Sequence, residues 1–236
     1  MGGWNRQASV QDFGFPMRTK IEGTARVDEL VRCVGTGRGL AGGAVNFYAY
    51  VKDGNVVCID TGMSARSTTN GLRQLGLDPA TVSHVFLTHS DFDHVGGLAA
   101  LPGTAVYLST DEGQMVDGTT ARSFGLLRNS LYGREWTPCR DGEVVNAGGI
   151  KVVAIATPGH TPGSMSHLVE DRYLFVGDAL RLVKGVVRPF LKPLVMDMPV
   201  HLVSLRKLAA VGEARRLFTA HTGHTSEVAA AMRDRR

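Results

Sequence analysis

Residues Leu87–Gly97 read LTHSDFDHVGG, and four of them carry side chains that bind metals or move protons: His89, Asp91, Asp93 and His94. Imidazole nitrogens and carboxylate oxygens are the donors that divalent transition metals take from proteins. Four such donors within six residues converge only where the backbone curls. An extended strand shows alternate residues to one face, whereas a helix shows every fourth. A strand-to-helix turn can therefore aim His89 and Asp91 at one point and Asp93 with His94 at another. Gly96 and Gly97 would let the start of the helix approach its neighbours closely.

Three more polar groups each follow an apolar run: His160 in ATPGHTPGS, Asp178 in LFVGDA and His221 in FTAHTGH. Strand ends along one rim of a sheet gather residues that are distant in sequence, and α/β proteins place their sites there. Taken singly, such an Asp is a turn residue and such a His a hydrogen-bonded structural one. Taken together, the groups point to a metal centre. His224 is a second candidate for the last ligand; His221 is preferred because it directly follows the apolar RLFTA. His84 and His167 sit in strand-like runs as structural histidines, and His201 opens a helix at an exposed position. Ser164 lacks a GxSxG elbow and reads as a loop residue rather than a nucleophile.

The elements that must position these groups alternate between strand and helix. AVNFYAY and NVVCID are strands joined at Asp53-Gly54, a strong hairpin signal. SARSTTNGLRQLG is a helix capped by Ser64 and ending near Gly76. SHVFLT runs into the opening motif, HVGGLAAL is a short helix and TAVYLS another strand. GIKVVAIATPGH is a strand, MSHLVE and RYLFVGD form a hairpin around Asp171, and PVHLVSLRKLAAVG is a helix. RLFTAHTGH is a strand ending in histidines, and SEVAAAMRDRR is a closing helix with Ser226 as its cap. Residues 1–40 form an N-terminal segment, an edge element at best, and Gly35-x-Gly37-x-Gly39 reads as a flexible loop close to the site. Residues 110–142 read as a helix-containing insertion. The pattern predicts an α/β chain of sheets covered by helices, one domain over 1–236.

Composition narrows the function classes. The 236 residues are 43% hydrophobic and 20% charged, with a net charge of +4, the profile of an ordinary globular protein. The basic excess is too small and dispersed to predict a nucleic-acid partner. Arg181, Lys184, Arg188 and Lys192 follow Asp178 and either steer an anionic substrate or form solvated surface. No window approaches the ~20 apolar residues of a membrane span, and the first residues show no secretory pattern. Cys33, Cys58 and Cys139 are scattered and odd in number, which predicts reduced thiols and a cytoplasmic location.

With these residues in place, the sequence resembles the metallo-β-lactamase superfamily. The signature His-x-His-x-Asp-His is matched by His89-Ser90-Asp91-Phe92-Asp93-His94, followed in order by His160, Asp178 and His221, with Asp60-Thr61-Gly62 ahead of it. The resemblance implies a four-layer αββα sandwich, two β-sheets flanked by helices. It implies two divalent metal ions, zinc foremost. The first would be held by His89, Asp91 and His160, the second by Asp93, His94 and His221, with Asp178 bridging. Asp91 departs from the signature, which has a histidine there. It makes the site less positive, and its harder oxygen shifts preference toward iron or manganese. The activity implied is hydrolysis of a small-molecule substrate by metal-activated water with Asp93 catalytic, on an ester-type bond such as a lactone or thioester. Two alternatives remain: a di-iron oxidoreductase resembling the flavodiiron core, which also carries a carboxylate at this position, and a non-catalytic metal-binding or sensor domain.

Overall fold

A computed structural model of the chain describes residues 23–39, 44–122 and 129–233. The first sheet contains seven strands in chain order: β1 (Ala25–Arg26), β2 (Val31–Arg38), β3 (Ala44–Lys52), β4 (Asn55–Ile59), β5 (Val82–Phe86), β6 (Ala105–Ser109) and β7 (Thr137–Cys139). Strands β1 to β4 pair antiparallel, while β4 to β7 are parallel neighbours. Parallel neighbours need crossovers, and helices supply them: α1 (Ala65–Gln74) between β4 and β5, α2 (Phe92–Val95) between β5 and β6, and α3 (Gly113–Val116) between β6 and β7.

The second sheet builds outward from β8 (Val144–Ala147) through β9 (Ile150–Ala156), β10 (Met165–Val169) and β11 (Tyr173–Phe175). After β11 the chain makes a separate hairpin, β12 (Leu180–Val183) with β13 (Val186–Pro189), and the helix α4 (Met198–Ala209). It then adds β14 (Arg216–Thr219) parallel to β11, β15 (Gly223–Thr225) at the edge, and α5 (Val228–Ala231).

Alternation along the strands dictates the layering. In β3, Phe47 and Ala49 face α1 and its Leu72, while Tyr48 and Tyr50 face the other sheet. Both sets are buried, because both faces of the sheet are covered. The middle layer joins Tyr48, Ile59 and Phe86 to Val152, Phe175 and Phe218, with Phe175 and Phe218 stacked at 4.5 Å between ring centroids. On the far side, Leu168, Leu174 and Leu217 pack against Leu205 and Leu208 of α4 and Ala231 of α5. The order is helix, sheet, sheet, helix, the expected αββα sandwich.

Several local expectations match the structure. The β3–β4 hairpin turns at Asp53 and Gly54, with φ of 50° and 79°, the two left-handed residues that a tight hairpin of this twist needs. Ser64 caps α1 by accepting from Ser67 N. Other expectations are corrected. The segment before residue 40 is no mere edge in its described part. Strand β2 lies inside the sheet between β1 and β3, with Val31, Cys33 and Val34 fully buried. Gly35 and Gly37 belong to that strand, at a register shift, so they form an irregular strand rather than a loop. His201 is buried, its Nε2 accepting from Phe190 N, instead of exposed. The closing helix is capped at Glu227 rather than Ser226. The stretch 110–142 gives α3 and also β7, a member of the first sheet; residues 123–128 of it lie outside the described residues.

Candidate metal centre

Hydrogen bonds between the sheets fix the rim where the ligands gather. Asn46 N and Nδ2 donate to the Ala220 carbonyl, and the Tyr48 hydroxyl donates to that of Thr219, tying β3 to the turn that carries His221. Met165 N donates to Thr88 O at 2.8 Å, and His167 Nε2 to Leu87 O at 3.1 Å, holding the motif over β10. The structural role expected for His167 is this contact.

The motif itself leaves β5 and turns into α2, as its donors require. Gly97 makes this turn fit: a Cβ there would collide with the Thr61 carbonyl. The Thr61 amide and hydroxyl both donate to the His94 carbonyl, at 2.7 and 2.9 Å. Asp60 precedes them in the left-handed region (φ 63°) with its carboxylate buried. That carboxylate accepts from Thr88 N at 2.7 Å and from His94 Nδ1 at 2.9 Å. A proton held on Nδ1 leaves His94 Nε2 as the free lone pair, the arrangement metal-binding histidines generally have. His221 is treated in the same way, Nδ1 donating to Ala44 O at 2.8 Å.

The expected ligands converge in overlapping groups. His89, Asp91 and His160 form the first, Asp93, His94 and His221 the second, and Asp178 joins His89 with His94 in a third. Asp178 Oδ1 lies 3.1 Å from His221 Nε2 and 3.7 Å from His94 Nε2, while its Oδ2 lies 3.4 Å from His160 Nε2. These separations suit donors sharing an ion at bond lengths of ~2.0–2.2 Å. His224 stands on β15 and enters none of the groups found among the described residues.

Electrostatics in the centre call for a cation. Burial opposes ionisation of Asp178, but His221, His94 and His160 outweigh it and hold the carboxyl far below its ordinary range. Burial pulls His94 down, yet Asp60, Asp178 and Asp93 together raise it to about 10. At His160 burial prevails and the value falls to about 4. Three buried atoms of the expected ligands, His94 Nε2, Asp178 Oδ1 and His160 Nδ1, have no hydrogen-bond partner, and the first two lie among the other donors. Buried polar atoms are ordinarily paired, and a divalent cation satisfies an imidazole lone pair and a carboxylate oxygen together. The second ligand group and Asp178 therefore fit a metal ion.

Three residues important to the geometry carry no signal of spacing. Glu112, fully buried, accepts from Ser90 N and Oγ on the motif loop, and from Thr161 Oγ1 and Gly163 N on the His160 loop. Arg122 pairs with both oxygens of Asp91, at 3.0 and 2.9 Å. Asn129 Nδ2 donates to Asp91 Oδ1 and Ser90 Oγ. All three come from the stretch that the sequence left without a signature. Gly39 lies beside Asp93 and His221, so the expected nearness of the glycine-rich segment holds.

Comparison with known proteins gives this arrangement a lineage. A sequence model of the metallo-beta-lactamase superfamily matches residues 40–233. "Probable metallo-hydrolase Rv2300c" of Mycobacterium tuberculosis is 25% identical over 182 residues, covering 70% of this chain and 59% of that protein. Hydroxyacylglutathione hydrolase of Gloeobacter violaceus is 33% identical over 135 residues, 52% of this chain and 46% of that protein. The crystal structure of metallo-beta-lactamase family protein TTHA1429 from Thermus thermophilus aligns with a TM-score of 0.67 at 24% identity, over 89% of this chain and 79% of that one. The chain thus spans about three-fifths of the length of the mycobacterial relative. Sandwich, ligand order and sequence match agree over nearly the whole described fold, and the chain belongs to the metallo-beta-lactamase superfamily.

Proposed function

We propose that this chain is a metal-dependent hydrolase acting on an ester-type acyl bond, a lactone or thioester, of a small molecule. The observation that carries the reading is the pair of buried, unpartnered ligand atoms, His94 Nε2 and Asp178 Oδ1, beside the carboxylate of Asp93. Asp93, His94, His221 and Asp178 would hold a divalent ion, which would supply a water of lowered pKa and polarisation of the substrate's carbonyl oxygen. Zinc is the first candidate, with iron or manganese favoured by the carboxylate Asp91. The superfamily signature implies two such ions, and the donors of the second group fit one of them.

The chain's own residues do the rest. Asp93 Oδ2 lies 3.9 Å from His94 Nε2 and 3.8 Å from His221 Nε2, near enough to orient the attacking water and receive its proton. Asp60 and the Ala44 carbonyl keep the two histidines in the ligating tautomer. The acyl preference is supported by the TPGHTPGS loop and by the Gloeobacter relative, whose name assigns it hydroxyacylglutathione hydrolysis. No helix among the described residues is long and apolar enough to cross a membrane. Three free buried thiols support a reducing, cytoplasmic setting.

The test is a panel of lactone, thioester and phosphodiester substrates with zinc-loaded protein and Asp93→Asn. The expected result is acyl hydrolysis that falls by ~10²–10⁴-fold in the variant, the usual contribution of a positioned base. Cleavage confined to phosphodiesters would overturn the bond class. A di-iron absorption band with oxygen consumption would replace hydrolysis by redox chemistry.

A further inference from the structure

The two halves of the ligand cluster are not in the same condition. Around Asp93, His94, His221 and Asp178, two buried donor atoms, His94 Nε2 and Asp178 Oδ1, have no hydrogen-bond partner, and the basic side chains in ion-pair reach of Asp178 Oδ1 are the histidines His94 and His221. Around His89, Asp91 and His160, a cation is already there. The Arg122 guanidinium donates from Nε to Asp91 Oδ1 at 3.0 Å, and its second terminal nitrogen lies 2.9 Å from Asp91 Oδ2. The same nitrogen donates to the His160 carbonyl at 3.0 Å and stands 2.9 Å from His160 Nε2. The remaining arm is anchored on the Leu194 carbonyl at 2.8 Å, and Asn129 adds a further hydrogen bond to Asp91 Oδ1.

Three consequences follow. One guanidinium nitrogen stands 2.9 Å from both His160 Nε2 and Asp91 Oδ2, so a divalent ion on those two atoms would face a fixed positive charge at contact distance. Both oxygens of Asp91 are engaged by a bidentate pair, the strongest form that an arginine and a carboxylate make. One divalent ion together with Arg122 balances the three carboxylates Asp91, Asp93 and Asp178. A second divalent ion would bring these groups to +2, or +1 with the buried Asp60 carboxylate beside His94 counted.

We infer that Arg122 takes the place of the first metal ion: the centre is mononuclear, with one ion on Asp93, His94, His221 and Asp178, and the Arg122–Asp91 pair fills the first ligand group. The inference rests on the metallo-hydrolase reading and specifies its metal site. It also gives Asp91 a reason to differ from the signature, since a histidine there could not pair with the guanidinium through two oxygens.

The measurement is metal content by elemental mass spectrometry, after loading with excess zinc and desalting, on wild type and on the double variant Asp91→His with Arg122→Gln. One equivalent in the wild type and two in the double variant is the expected result. Two equivalents in the wild type, or one in both, overturns the inference while leaving the metallo-hydrolase reading intact. No bound zinc, iron or manganese in a folded wild type overturns that reading itself. If the double variant does not fold, Arg122→Gln alone carries the same test, because it frees His89, Asp91 and His160 together. Cobalt(II) titration followed by visible absorption then reads whether a second ion enters.

Discussion

Glu112 offers the sharpest test of how the centre is held together. Its carboxylate takes four hydrogen bonds of 2.6 to 3.0 Å from two loops that are far apart in sequence. Replacing it with alanine strands two buried backbone donors, Ser90 N and Gly163 N. The two hydroxyls fare better, because Ser90 Oγ retains Asn129 Nδ2, and Thr161 Oγ1 retains Ser164 Oγ at 2.7 Å. A stranded buried donor costs about 1–3 kcal/mol, so the pair costs roughly 2–6 kcal/mol. Relief from burying a carboxylate places the net in the lower half of that range, ~3 kcal/mol. For a chain of this size, each kcal/mol moves the melting temperature by about 2–4 °C. The Glu112→Ala variant should therefore melt roughly 6–12 °C below wild type. Glu112→Gln keeps the shape but turns an amide donor toward one backbone N–H, so about half the loss is expected. Thermal melts followed by circular dichroism read both. An alanine variant melting within about 2 °C of wild type would refute the argument, because donors that re-pair so cheaply are not holding the loops.

Other outcomes follow from the same geometry. Asp60→Asn removes the carboxylate that fixes His94 and should weaken zinc binding by ~10–100-fold, as such supporting contacts generally do; chelator competition measures it. His221→Gln should lose bound zinc while His224→Gln retains it, since only His221 joins a ligand group. The reverse pattern in elemental analysis would reassign the last ligand. Burial pushes the thiols of Cys33, Cys58 and Cys139 up to about 12. Iodoacetamide at pH 8 should therefore leave all three unmodified in the folded protein and alkylate them in urea. Rapid labelling of any one in the native state would contradict its burial.

The strands, the helices and the ligand order were largely legible because each is a local property. Alternation and flanking turn residues mark β3, β4, β9 and β10, and a polar residue after an apolar run marks each ligand. Strand β2 escaped because its glycines, Gly35 and Gly37, dilute the alternation, although Val31, Cys33 and Val34 carry the burial. The β12–β13 hairpin escaped as well. Its basic residues drew attention to charge, while Leu180, Leu182 and Val187 face the core and Lys184-Gly185 makes the left-handed turn. Glu112, Arg122 and Asn129 were beyond reach for a different reason. Their partners lie between 22 and 51 residues away along the chain for Glu112, and no periodicity encodes a contact made by folding alone.

The hydrogen bonds from β3 to the His221 turn, and from β10 to the motif, have a thermodynamic corollary. The first sheet delivers His89, Asp93 and His94, and the second delivers His160, Asp178 and His221, so a cation held as proposed would draw on both. Its binding free energy would then add directly to the cohesion of the sandwich, by about 2.7 kcal/mol at a free ion concentration a hundred times the dissociation constant. Chelation would act on this protein as a mild denaturant, loosening first the end of the sandwich where the sheets meet.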